Sequence, residues 1–189
     1  MSKVEQPEMI LKIVFAGDPG AGKTSLLRRE AERMFTQDIV CTIGVEFKIK
    51  NYKVGKINVK AQLWDTAGQE RYRSMSAPYY RGKLFLDSGC NAVLLCFSLA
   101  DRRSFDNLGH WLDEINKYMV DGQIYLVGCK SDLDTIVPTD EILTFAEAMN
   151  VKYIQTSAKE SIGVSEAFQQ VIEETTQNNL IKMAYEPKQ

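Results

Sequence analysis

One stretch constrains this chain more than any other. Gly17-Asp18-Pro19-Gly20-Ala21-Gly22-Lys23-Thr24 follows directly on the apolar run from Ile10 to Ala16. It satisfies G-x-x-x-x-G-K-[ST], a loop that leaves a strand and opens a helix. Glycines let such a backbone fold back until several N–H groups converge on phosphate oxygens, where a Cβ would crowd the ligand. Lys23 adds a full positive charge, the hydroxyl of Thr24 can ligate a Mg²⁺ shared with the phosphates, and the helix N-terminus adds its partial positive charge. The implied chemistry is nucleoside-triphosphate binding. Chance alone yields such a match in roughly one chain in a hundred of this length.

The rest of the chain alternates strands and helices. Ser25 to Met34 reads as a helix with Leu27, Ala31 and Met34 on its apolar face; Arg28, Arg29, Glu30, Glu32 and Arg33 lie mostly on a solvated one. Val45, Phe47 and Ile49, then Ile57, Val59, Ala61 and Leu63, alternate with polar residues around a turn at Val54-Gly55-Lys56. This predicts a hairpin with one apolar and one wet face. Arg71 to Gly82 suits a short irregular helix. Ala92 to Phe97 and Gln123 to Gly128 are continuous apolar runs of the kind buried on both faces. Phe105, Leu108, Leu112, Ile115 and Met119 recur at helical spacing between them. A helix capped by Thr139 carries Ile142, Phe145, Ala146 and Met149, a short strand spans Lys152 to Gln155, and a last helix carries Val164, Ala167, Phe168, Val171 and Ile172.

This order predicts an α/β fold with a mostly parallel sheet covered on both faces. Ligands then sit beyond the carboxyl ends of the strands. Loops beginning near Gly17, Asp65, Cys129 and Thr156 all start at such ends, so the chemistry converges on one edge of the sheet.

Composition narrows the partners. The net charge of −2 offers no electrostatic footprint for nucleic acid. Cys41, Cys90, Cys96 and Cys129 form no C-x-x-C pair, and His110 is the single histidine, which argues against a zinc site or a disulfide framework and suits a cytoplasmic protein. The polar N-terminus does not read as a signal peptide, and no apolar run approaches the length of a membrane span.

Thr42-Ile43-Gly44, Trp64-Asp65-Thr66-Ala67-Gly68-Gln69-Glu70, Lys130-Ser131-Asp132 and Ser157-Ala158-Lys159 follow the phosphate loop in that order. With these motifs the chain resembles the Ras superfamily of small GTPases, and Ile43 to Lys48, Arg71-Tyr72-Arg73-Ser74 and Tyr79-Tyr80-Arg81-Gly82 resemble its Rab branch. The resemblance implies a P-loop NTPase fold: a three-layer sandwich with a six-stranded, mostly parallel sheet, one antiparallel edge hairpin and about five helices. It implies a G domain over residues 9–180, with short flexible tails at 1–8 and 181–189. It also implies a cofactor-binding set of Asp18, Pro19, Gly20, Ala21, Gly22, Lys23, Thr24, Ser25, Phe35, Thr42, Gly68, Cys129, Lys130, Asp132, Ser157, Ala158 and Lys159.

In that set Lys23 contacts the β- and γ-phosphates, Thr24 and Thr42 hold Mg²⁺, and Asp65 acts on the metal through water. Phe35 lies across the guanine face, Asp132 accepts from the guanine N1–H and amine, Lys130 covers the base with its stem, and the Ala158 N–H donates to O6. Thr42 and Gly68 sense the γ-phosphate, and Gln69 orients the attacking water, the role small GTPases illustrate for phosphoryl transfer. Gln69 and Lys23 are thus the catalytic candidates, with GTP and GDP as substrate and product.

The implied protein is a monomeric GTP/GDP switch with slow hydrolysis, acting in vesicle traffic from the cytoplasm or peripherally on endomembranes. Effectors, exchange factors and activators would meet residues 36–48 and 66–82.

Four departures qualify this picture. Cys129 stands where the family has Asn, and a thiol is a weak donor and acceptor, so nucleotide affinity is expected to fall. Pro19 fixes φ and removes an N–H inside the phosphate loop, which puts hydrolysis in doubt. About seven extra residues near Lys83 to Gly89 bring in Leu84, Phe85 and Leu86. The C-terminal residues contain no cysteine to prenylate, which leaves membrane association open. The alternative reading is a guanine-nucleotide-binding interaction module with impaired hydrolysis.

Overall fold

The computed structural model describes residues 9–37, 45–66 and 89–185. The helix expected over Arg71 to Gly82, the apolar segment near Leu84 to Leu86, and Thr42, Gly68 and Gln69 lie outside the described residues. The elements run β1 (Met9–Ala16), α1 (Lys23–Glu32), β2 (Val45–Val54), β3 (Ile57–Thr66), β4 (Ala92–Ser98), α2 (Arg102–Asp106), α3 (Leu108–Tyr118), β5 (Gln123–Cys129), α4 (Thr139–Ala148), β6 (Lys152–Gln155) and α5 (Val164–Tyr185). The six strands form one sheet in the order β2-β3-β1-β4-β5-β6. Among the described strands, β2 and β3 pair antiparallel and the other neighbours pair parallel.

Strand alternation sends successive side chains to opposite faces and so builds two cores. Leu11, Ile13 and Phe15 of β1 pack with Leu26 and Leu27 of α1 and Phe168, Val171 and Ile172 of α5. Val14 and Ala16 face the other way, with Phe97, Trp111 and Ile115, and with Ile142 and Ala146 of α4. Each Val, Leu, Ile or Phe side chain among them taken fully from water contributes about 1.5–3 kcal/mol. Burial on both faces is why β4 and β5 read as continuous apolar runs, and the three-layer α/β sandwich matches the expectation.

Several details differ from the sequence reading. α1 starts at Lys23, not Ser25, because the Leu26 N–H already bonds the Gly22 carbonyl at 2.9 Å. Its buried stripe is Leu26 and Leu27, while Met34 is exposed. The helical pattern from Phe105 to Met119 is two helices broken at Asn107. Thr139 is the first residue of α4 and not its cap, a position Pro138 takes. α5 runs to Tyr185, past Leu180, where the sequence reading begins the polar tail.

The largest revision concerns charge. Glu30, read as solvated, is 3 % exposed. Its Oε1 accepts from Lys50 Nζ at 2.6 Å and Tyr52 Oη at 2.7 Å, and its Oε2 from Ser165 Oγ at 3.4 Å. Strand β2 therefore turns its polar side chains toward α1, and Phe47 and Ile49 are the more open ones. Removing a buried carboxylate leaves its donors unsatisfied, whereas an exposed ion pair contributes little. Glu30→Ala is expected to lower stability by about 2 kcal/mol. Glu32→Ala, which breaks the more open pair with Lys48, is expected to cost under about 1 kcal/mol, both read from urea unfolding.

Candidate functional site

β1 lies between β3 and β4, so the connection from β1 leads to one side of the sheet and the connection from β3 leads back to the other. Doubly wound sheets hold ligands beyond the carboxyl ends of the strands at such a reversal, which here is the end of β1. The loop Gly17 to Gly22 leaves β1 at that end and leads into α1. Gly17 has φ +125°, and a side chain there would place its Cβ 2.0 Å from the Cys96 carbonyl oxygen of β4. The loop is therefore seated on β4 at a position only glycine can occupy. Gly20, at φ +75°, is the reverse case: a Cβ would meet nothing within 4 Å. Pro19 and Gly20 are exposed and Ala21 is buried.

Lys23 curls back under this loop. Its Nζ donates to the carbonyls of Gly17 at 2.7 Å and Asp18 at 2.8 Å. Burial pushes its pKa down, and Asp65, Cys96, Cys129 and Asp18 partly offset that shift. Thr24, the next residue, donates its hydroxyl to Asp65 Oδ2. Asp65 is wholly buried near the end of β3, opposite Phe15 of β1. Parallel pairing thus joins residues 41 positions apart into a lysine, hydroxyl and carboxylate group. That donor set fits a triphosphate with Mg²⁺, which takes hard oxygen ligands, keeps several waters and uses few protein groups.

Asp18 contributes a contact that the sequence reading missed. Its Oδ1 accepts from Trp111 Nε1 at 2.8 Å and its Oδ2 from Asn107 Nδ2 at 2.5 Å. The helix break at Asn107 is thereby fastened to the phosphate loop.

Further along the same edge, two loops meet. Ser157 Oγ donates to Asp132 Oδ1 at 2.6 Å and accepts from the Glu160 N–H at 3.0 Å, and the Ser131 N–H donates to the Thr156 carbonyl at 3.1 Å. Lys130 sits at φ +62°, a conformation uncommon for any residue but glycine. Cys129 is buried, and its Cβ lies 3.0 Å from where a side chain on Gly22 would begin. Burial pushes the neighbouring Cys96 thiol well above its usual range. Phe35, half-buried, lies with its ring centroid 6.0 Å from the guanidinium carbon of Arg29. Ser25 is half-buried in the first turn of α1, Ala158 is half-buried, and Lys159 is exposed beside Glu160. The described members of the expected set therefore share one edge of the sheet. Asn107, Trp111 and Arg29 reach it without any motif to mark them.

The family model for the Ras family matches residues 12–177. The chain belongs to the Ras family. It is similar to the GTP-binding protein ypt1 of Schizosaccharomyces pombe, 38 % identical, covering 85 % of this chain and 77 % of that one. It is also similar to the Ras-related protein SEC4 of Saccharomyces cerevisiae, 39 % identical over 85 % and 73 % of the two chains. Ras-related protein Rab-1D of Dictyostelium discoideum is 37 % identical over 89 % and 80 %. Within the Ras family this is a Rab-like small GTPase, and its enzymatic class is GTP hydrolase. Among its described residues, no helix is long and apolar enough to cross a membrane.

The two loop glycines of this Ras-family chain should separate clash from strain. Gly17→Ala is expected to destabilise by several kcal/mol, because the Cys96 carbonyl must move or the loop must leave β4. Gly20→Ala should cost only the left-handed penalty of about 1–2 kcal/mol. Thermal unfolding of both variants checks the order.

Proposed function

We propose that this chain is a Mg²⁺-dependent GTP/GDP switch that hydrolyses GTP slowly and acts in vesicle traffic. The observation that carries the proposal is the junction of Lys23, Thr24 and Asp65 beneath a glycine loop, with the Asp132–Ser157 pair farther along the same edge. In this reading Thr24 and Asp65, joined by Thr42, hold the metal, Asp65 through water. When bound, Mg²⁺ supplies positive charge against the phosphate oxygens.

The chain's own residues do the rest. Lys23, already desolvated, exchanges its carbonyl partners for phosphate oxygens, whose negative charge favours its ammonium form and opposes the downward shift from burial. Loop N–H groups and the start of α1 cradle the phosphates. Asp132, oriented by Ser157, accepts from N–H groups that guanine presents and adenine lacks. Lys130 and Phe35 cover the faces of the base, and the Ala158 N–H donates to its oxygen. Gln69 orients the attacking water, while Thr42 and Gly68 hold their segments only as long as a γ-phosphate is present. Residues 36–48 and 66–82 then offer effectors, exchange factors and activators a different surface in each state. The G domain spans residues 9–180, the chain acts as a monomer, and it works from the cytoplasm or at the face of endomembranes.

Protein purified without added nucleotide and then denatured should release GDP or GTP with Mg²⁺. An empty site with no Mg²⁺-dependent GTP turnover would overturn the switch. Bound nucleotide with no turnover would favour the hydrolysis-impaired module that Pro19 suggests. Cys129, against Gly22, replaces an amide by a thiol in the base-binding motif. Cys129→Asn is expected to slow guanine-nucleotide release by about tenfold, the worth of one to two hydrogen bonds, measured by displacement of a fluorescent GDP.

A further inference from the structure

Arg29 belongs to no motif, yet its side chain joins three separate parts of the site. Nε donates to the Ala158 carbonyl at 2.6 Å and Nη2 to the Lys159 carbonyl at 3.1 Å, across about 130 positions of sequence. Nη1 donates to the carbonyl of Arg33 at 3.1 Å, the residue that closes α1 in a left-handed conformation. The guanidinium also lies within cation–π range of Phe35, at 6.0 Å. A planar fork with five N–H donors can make these contacts at once, which an ammonium cannot. Its place in the last turn of α1 favours a positive charge as well.

Lys23 and Thr24 stand at the other end of the same helix. Six residues of α-helix separate Lys23 from Arg29 by about 9 Å along the axis. One rigid rod therefore carries phosphate-binding groups at its start and, near its end, a clasp on the loop and ring that flank the base.

We infer that Arg29 is a positioning residue for the base site, holding the Ala158-Lys159 loop and Phe35 to the end of α1. The inference rests on the guanine-nucleotide reading above and deepens it. Arg29 touches no base itself; it fixes the distance between the loop that meets the base edge and the ring that covers its face. Losing two charge-assisted bonds to the loop should be felt as faster nucleotide release. Changes at sites that share no partners combine independently, so the effect should multiply with that of removing the metal.

The test follows release of N-methylanthraniloyl-GDP from wild type, Arg29→Ala, Arg29→Lys and Arg28→Ala, each with Mg²⁺ and after EDTA. Arg29→Ala is expected to release about tenfold faster, with Arg29→Lys between it and wild type because one ammonium bond can be remade. EDTA should accelerate wild type and Arg29→Ala by the same factor. Arg28→Ala, which loses a half-exposed pair with Glu46, should stay within about twofold of wild type. Release unchanged in Arg29→Ala, equal acceleration in Arg28→Ala, or an EDTA factor that falls in the Arg29 variant would each overturn the inference. Should Arg29→Ala fail to fold, Arg29→Lys carries the test, and wild-type release from it overturns the inference. Wild-type protein that takes up no guanine nucleotide would overturn the proposed function, and this inference with it. Binding in wild type with unaltered release in both Arg29 variants would overturn this inference alone.

Discussion

The buried ammonium of Lys23 is the constraint to which the rest of the structure answers. Taking such a charge from water costs several kcal/mol even after relaxation, unless close partners surround it. Two carbonyls supply them, and both belong to the loop that Lys23 itself terminates. Those carbonyls point inward only because Gly17 turns through a positive φ against the backbone of β4. The loop is held from the opposite direction by Asp18, whose carboxylate is gripped by Asn107 and Trp111. Sheet, loop and the α2–α3 break thus share the work of keeping one cation where phosphate could reach it.

The broad architecture was legible in the sequence because burial on both faces leaves unbroken apolar runs, as in β4 and β5. The phosphate loop and Asp65 were legible because their chemistry demands fixed residue types at strand ends. Glu30 was not. On a helical projection it lies among charged neighbours and looks solvated; Tyr52 and Lys50, brought alongside by the hairpin, and Ser165 of α5 make it a buried centre. The break at Asn107 was hidden because Phe105, Leu108 and Leu112 keep helical spacing across it. Asp18 meets Asn107 and Trp111 over 89 and 93 residues, a pairing that no local pattern can announce. Arg29 was hidden for the same reason: the loop it holds, at Ala158 and Lys159, lies across the fold.

These misses share a cause. Periodicity reports which face of an element is apolar, but a polar side chain's partner is decided by the neighbouring element, and that depends on strand order. Strand β2 illustrates this: as an edge strand it turns its charged side chains toward α1, where carboxylates await them, and leaves Phe47 and Ile49 more open.

The bond from Ser157 to Asp132 has a kinetic consequence. One carboxylate oxygen is already engaged by the protein, so the orientation of the other is set when the chain folds. A flexible aspartate would lose rotamer entropy at each encounter with a ligand; this one has lost it beforehand. On the proposed reading, discrimination between bases falls to this rigid template, with mismatched ligands met by a group that cannot turn to suit them.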